Sequence, residues 1–149
     1  MTVIAWDGTT LAADKQATNS GLKMTVTKIQ RINGDLFGVT GDFDLAQSTL
    51  KWFADGADPE KFPKHQEADD KWVGLVRITS DKRILKYERS PYPMDYTQMG
   101  KMAWGSGRDY ALAAMAMGAD AVRAVEVASQ FESTCGLGID FLTHEGESK

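Results

Sequence analysis

The sequence predicts an α+β fold in which two sheets are covered by helices. Two observations carry this reading. Extended, β-branched stretches dominate the first third, and apolar spacing turns helical over only three segments. Strands and helices also come in groups (strands, helix, strands, two helices, strand) rather than alternating as parallel βαβ units do.

Taken in order, Thr2–Trp6 and Thr10–Lys15 flank Asp7-Gly8, a hairpin signal. Lys23–Ile32 reads as a strand on its β-branched run Thr25-Val26-Thr27-Lys28-Ile29. Asn33-Gly34 turns the chain into Asp35–Thr40, which Gly41 ends. Over Asp42–Asp55 the period changes: Leu45, Thr49, Trp52 and Phe53 share a helical face, Asp42 or Asp44 caps the start, and Gly56 closes the end. Asp58–Asp70 is a polar, proline-bearing connection. Lys71–Thr79 and Arg83–Arg89 form a second hairpin, and Ser90–Gly100, with Pro91 and Pro93, is loop-like. Met102–Trp104 is a short strand running into Gly105-Ser106-Gly107. Helices follow over Arg108–Met117 and, from Asp120, over Ala121–Phe131, and Gly136–Leu142 returns to strand.

The 149 residues, 42% of them apolar, fit one domain over 1–149. With 17 basic and 21 acidic side chains the net charge is −4, which argues against a nucleic-acid surface. No stretch approaches the roughly 20 apolar residues of a membrane span. The start has no signal-peptide pattern, and the single cysteine, Cys135, cannot form an internal disulfide. A reducing cytoplasm is the expected compartment.

Chemistry is most legible at the N-terminus. Thr2 is small enough to favour removal of Met1, which would leave a hydroxyl nucleophile and a free α-amine on one residue. An amine with a pKa of about 7.7–8.0 can act as a base toward its own hydroxyl near neutral pH. Lys28, placed by period-two alternation on a face with Met24 and Val26, reads either as an edge lysine that snorkels or as a buried ammonium needing a carboxylate; Asp14 is the candidate partner. Gly41 stands at a strand-to-helix junction, where a backbone N–H can serve an oxyanion. Gly105-Ser106-Gly107 lacks the patterns of a phosphate loop and of a nucleophile elbow, and reads as a tight turn with Ser106 capping a helix. His65, His144, Cys135 and the acidic cluster Glu67, Asp69, Asp70 have no metal-ligand spacing. Met115, Met117, Trp52, Phe53 and Phe62 read as core or as subunit interface.

In order, Thr2, Asp14-Lys15-Gln16-Ala17-Thr18, Lys28 before Ile and an Arg, Gly41 and Gly105-Ser106-Gly107 resemble the proteasome β-type N-terminal nucleophile hydrolases, and among them the HslV-like bacterial peptidase subunits. The resemblance covers nearly the whole chain. It implies a four-layer αββα sandwich. It implies that Thr2 is the nucleophile and its amine the base, that Lys28 is the catalytic lysine lowering the pKa of both, and that Asp14 fixes that lysine. Gly41 then supplies the oxyanion N–H, Ser106 bonds near the amine, Thr18 lines the substrate groove, and Phe43 sits near the pocket for the residue before the cut bond. Glu132 and Cys135 stand where the family's supporting network has an aspartate and a serine.

The chain is shorter than typical members, and the interval from Thr2 to Asp14 is tighter. A two-residue turn at Asp7-Gly8 would pair Thr2 with Ala13; a four-residue loop, Asp7 to Thr10, would pair it with Lys15, which is the family register. The resemblance further implies a threonine endopeptidase without metal or organic cofactor. It would act on peptides or unfolded proteins in a homo-oligomeric ring, with an ATP-dependent unfoldase as partner. A non-catalytic ring subunit and an amidase for small amides are the other readings; the presence of Thr2, Asp14 and Lys28 favours activity.

Overall fold

The computed structural model describes residues 2–64 and 72–144. One antiparallel sheet has the order β10-β1-β2-β11, from Met102–Gly105, Val3–Trp6, Thr10–Asp14 and Ile139–Thr143. A second has the order β5-β6-β7-β8-β9, from Ile29–Ile32, Asp35–Gly41, Val73–Ile78, Ile84–Tyr87 and Met94–Asp95. A separate two-stranded hairpin joins β3 (Gln16–Asn19) to β4 (Leu22–Thr25).

Alternation along the strands builds the layers. In β1, Ile4 and Trp6 face the second sheet and meet Ile29, Leu36, Val76, Ile78 and Ile84. Val3 and Ala5 face the other way, with Ala12 and Ala103, onto helices α2 (Arg108–Ala116) and α3 (Ala121–Phe131). The small residues Ala111, Ala121, Ala124 and Ala128 let these helices lie close to the sheet. On the outer face of the second sheet, Phe37, Val39, Leu75 and Leu85 pack beneath α1 (Phe43–Ala54) through Ala46, Leu50, Trp52 and Phe53. Helix, sheet, sheet and helix pair make the four-layer αββα sandwich expected from the resemblance. Among the described residues no helix is long and apolar enough to cross a membrane.

Several local expectations are corrected. Lys23–Ile32 is not one strand: β4 ends at Thr25 and β5 begins at Ile29, in different sheets. Alternation with Met24 therefore does not describe Lys28, which lies in the intervening link where its carbonyl accepts the Val39 N–H. Gln16–Asn19, unassigned from the sequence, is a strand because the chain turns back at Ser20-Gly21, both at positive φ. Ser106 does not cap α2. Gly107 holds that position without a side-chain bond, and Ser106 turns toward Thr2. Asp42 is the N-cap of α1, but its carboxylate accepts the Trp72 N–H instead of capping the helix.

The β1–β2 register is set by Ile4 opposite Ala13 and Trp6 opposite Leu11, so the connection is the four-residue loop and not the two-residue turn. Asp7 holds that loop. Its Oδ1 accepts the N–H groups of Thr9 and Thr10 at 2.9 Å, and its Oδ2 accepts Ala121 N–H at 2.8 Å, tying the loop to the start of α3.

Trp52 and Phe53 are core, with Phe62 edge-on to Trp52 at 4.9 Å. Met115 is buried and Met117 is exposed. His65, Glu67, Asp69 and Asp70 lie outside the described residues.

Candidate active site

The site is built around a buried ion pair. Lys28 Nζ lies 2.8 Å from Asp14 Oδ1, with side-chain exposures of 2% and 0%. A buried charge pair is tolerated only where its remaining polar capacity is filled. Asp14 meets that condition: Oδ1 also accepts Val3 N–H at 3.1 Å, and Oδ2 accepts the N–H groups of Gln16 at 3.2 Å and Gly136 at 3.1 Å. One carboxylate thus gathers the start of β1, the end of β2, the link before β5 and the turn before β11. The Val3 N–H belongs to the peptide bond that follows Thr2, so a single oxygen joins the backbone of Thr2 to the lysine ammonium.

Thr2 is 7% exposed. Its nitrogen is 3.2 Å from Ser106 Oγ, and its carbonyl accepts Gly107 N–H at 3.2 Å. The loop can press this close because Gly105 lacks a side chain. Its φ is +97°, and a Cβ there would stand 2.1 Å from the Thr2 carbonyl oxygen. Ser106 Oγ continues to Thr134 Oγ1 at 3.0 Å, which donates to Glu132 Oε1 at 2.9 Å. Cys135 Sγ is 3.7 Å from Ser106 Oγ. Burial, seconded by the negative charge of Asp14, pushes its thiol pKa up, so the sulfur stays protonated.

A cleft of about 260 Å³ opens at the ends of both sheets, lined by Thr2, Gly105 and Ser106 on one side and Thr40, Gly41, Asp42 and Trp72 on the other, with Thr18 from the β3–β4 hairpin. Gly41 ends β6 at φ +87°, where a Cβ would come within 2.3 Å of the Trp72 carbonyl oxygen. That carbonyl accepts Asp42 N–H at 2.8 Å, and Asp42 returns the bond to Trp72 N–H at 2.9 Å.

Of the residues singled out in the sequence, Thr2, Gly41, Ser106 and Thr18 line one cleft, and Asp14 and Lys28 form the ion pair beneath Thr2. Phe43 does not line the cleft; it is the first residue of α1 and packs against the aromatic core under that helix. Glu132 and Cys135 both reach the Ser106 cluster. Sequence reasoning missed Thr134, Trp72 and Gln16, whose side chain bonds Thr18 Oγ1 at 3.3 Å and Ser133 O at 3.4 Å. No motif marks Trp72; Gln16 was signalled only by lying within Asp14-Lys15-Gln16-Ala17-Thr18, and Thr134 only by lying between Glu132 and Cys135. His144 bonds the Thr79 carbonyl at 3.0 Å and is edge-on to Trp6, away from the cleft. Among the described residues no cluster of three or more His, Cys, Asp or Glu could hold a metal ion.

No family model and no curated protein matches the sequence. Solved structures do match the fold. The BPH protein of Thiobacillus denitrificans, in complex with epoxomicin, is 19% identical with a TM-score of 0.69, over 96% of this chain and 97% of that one. A eukaryotic HslV from Trypanosoma brucei is 20% identical with a TM-score of 0.69, over 95% and 97%. An Anbu Gly-1 mutant from a Hyphomicrobium strain is 12% identical with a TM-score of 0.65, over 100% and 85%. End to end, then, the chain has the HslV-like fold of the proteasome-type N-terminal nucleophile hydrolases.

Proposed function

We propose that this protein is a threonine peptidase subunit that acts once Met1 has been removed. The observation that carries the reading is the buried Lys28–Asp14 pair, linked through Val3 N–H to the backbone of a threonine at position 2 that lines a cleft. A buried ammonium beside a hydroxyl and an amine lowers the pKa of both and makes each more reactive at neutral pH.

In the proposed reaction Thr2 Oγ attacks a peptide carbonyl carbon and its proton passes to the Thr2 amine, directly or through water. The tetrahedral oxyanion is held by the Gly41 N–H, a contribution of about 2.7–4 kcal/mol for one such donor. The ammonium then returns the proton to the departing peptide nitrogen as the C–N bond breaks, leaving an ester on Thr2. Water, deprotonated by the same amine, adds to that ester and releases the new carboxyl end. Thr18 and the Gly41 backbone flank the groove and orient the substrate.

By extension from the fold, the subunit is proposed to assemble with further copies into a cytoplasmic homo-oligomeric ring that encloses these clefts, supplied with unfolded protein by an ATP-dependent unfoldase.

Intact-mass measurement tests the first requirement: a species lighter by one methionine is expected. Fluorogenic peptide cleavage tests the second, with Thr2→Ala expected to abolish turnover while leaving assembly intact. Epoxomicin, present in the Thiobacillus BPH structure, is the first compound to try as a ligand of the same cleft. Full retention of Met1 in the purified complex, or normal cleavage by Thr2→Ala, would refute the assignment and leave a non-catalytic ring subunit.

A further inference from the structure

The hydrogen bonds that leave the Thr2 nitrogen run in one direction and end on a carboxylate. Glu132 Oε1, as a carboxylate oxygen, only accepts, so the Thr134 hydroxyl, 2.9 Å away, donates to it; Thr134 N–H donates to the same oxygen at 3.3 Å. With its proton committed, Thr134 Oγ1 accepts from Ser106 Oγ at 3.0 Å. The Ser106 proton has one competing oxygen acceptor, the Thr2 carbonyl, which is farther at 3.3 Å and already receives Gly107 N–H. Ser106 Oγ therefore turns its lone pairs toward the Thr2 nitrogen, whose N–H it accepts at 3.2 Å. The thiol of Cys135, 3.7 Å from Ser106 Oγ, is too weak a partner to reverse this order.

We propose that Thr134 is a positioning residue for the Thr2 amine, relaying the charge of Glu132 through Ser106 so that Ser106 accepts from that amine. The proposal rests on the peptidase reading for its catalytic consequence, since the amine must become an ammonium when it takes the Thr2 proton. An acceptor polarised by a carboxylate stabilises that ammonium and fixes the direction of the amine lone pair in the neutral state. Removing the Thr134 hydroxyl releases the Ser106 proton toward the Thr2 carbonyl and cuts the link to Glu132.

The test uses the full chain lacking Met1, with threonine ¹⁵N-labelled, as wild type, Thr134→Val, Thr134→Ser and Glu132→Gln. NMR titration of the Thr2 amine reads the relay without requiring turnover. Thr134→Val and Glu132→Gln are expected to lower the amine pKa by about half a unit or more, and Thr134→Ser to restore it. Fluorogenic peptide hydrolysis is expected to show kcat down about tenfold in Thr134→Val with KM within about twofold, and near wild type in Thr134→Ser. An amine titration unmoved in both Thr134→Val and Glu132→Gln overturns the proposal, as does an unchanged kcat in Thr134→Val against an active wild type. An inactive wild type sinks the peptidase reading instead, and the titration then decides the role of Thr134 alone. Should Thr134→Val fail to fold, Glu132→Gln supplies the same decision.

Discussion

Replacing Asp14 by asparagine should damage the protein more than removing the lysine it pairs with. The asymmetry follows from who donates to whom. Four donors converge on the Asp14 carboxylate, Val3 N–H and Lys28 Nζ at Oδ1, Gln16 N–H and Gly136 N–H at Oδ2. An asparagine offers one acceptor oxygen and one NH₂ group. Whichever way its amide turns, two of the four donors face another donor, and the 2%-exposed ammonium of Lys28 loses its counter-charge. Leaving one member of a buried pair uncompensated costs about 3–5 kcal/mol. Lys28→Met keeps the length of the stem but also leaves a buried charge; the three backbone donors that remain on Asp14 satisfy its oxygens, so the loss should fall at the low end of that range, about 3 kcal/mol. Urea unfolding of both variants at one fixed protein concentration, followed by tryptophan fluorescence, measures the two losses directly. Equal losses, or an Asp14→Asn loss below about 1 kcal/mol, would show that the convergence on Asp14 does not hold these segments together.

Asp7 should make the fold acid-sensitive. Burial of its carboxylate pushes the pKa up, but the N–H groups of Ala121, Thr9 and Thr10 and the Thr9 hydroxyl outweigh that and hold it below the ordinary carboxylate value. A depressed folded-state pKa contributes stability that is present above the unfolded value and lost as pH falls through the folded one. Asp7→Ala is therefore expected to cost about 1–2 kcal/mol at neutral pH and to flatten the acid limb of a thermal-stability profile; a limb identical to wild type would contradict this. Gly105→Ala should abolish peptide cleavage, because its Cβ would stand 2.1 Å from the Thr2 carbonyl oxygen. Gly34→Ala, also at positive φ but with open space around it, is the control and should cost only about 1–2 kcal/mol of backbone strain without loss of turnover.

Most of the layer order was legible because alternation is a local signal. Ile4 and Trp6 against Val3 and Ala5 already divide one sheet face from the other, and the helical spacing of Thr49, Trp52 and Phe53 marks the face of α1 that is buried. The link Val26–Lys28 was misread because β-branched residues favour extended backbone whether or not a partner strand exists. Only tertiary context separates a strand from a connection that leaves one hairpin and enters another sheet. Ser106 was misread for a related reason. A serine before a helix is a sound cap by local rules, but here its hydroxyl has a partner 104 positions away in sequence. Thr134 and Trp72 reach the cleft region through contacts that no spacing rule encodes.

The β1–β2 register shows how a choice invisible to alternation can decide a site. The two candidate connections differ by two residues, so both keep every side chain of β1 and β2 on the same face, and burial cannot discriminate between them. Turn chemistry can. Asp7 satisfies Thr9 N–H and Thr10 N–H within the four-residue loop and reaches Ala121 at the head of α3, bonds that a two-residue turn would not offer. In the register observed, Ile4 faces Ala13, and continuing it by one step sets Val3 opposite Asp14. In the alternative, Val3 would face Ala12, and the carboxylate would move two pairs beyond the N–H it now accepts. The loop at Asp7 therefore does more than close a hairpin, because it brings the partner of Lys28 to the peptide bond that follows Thr2.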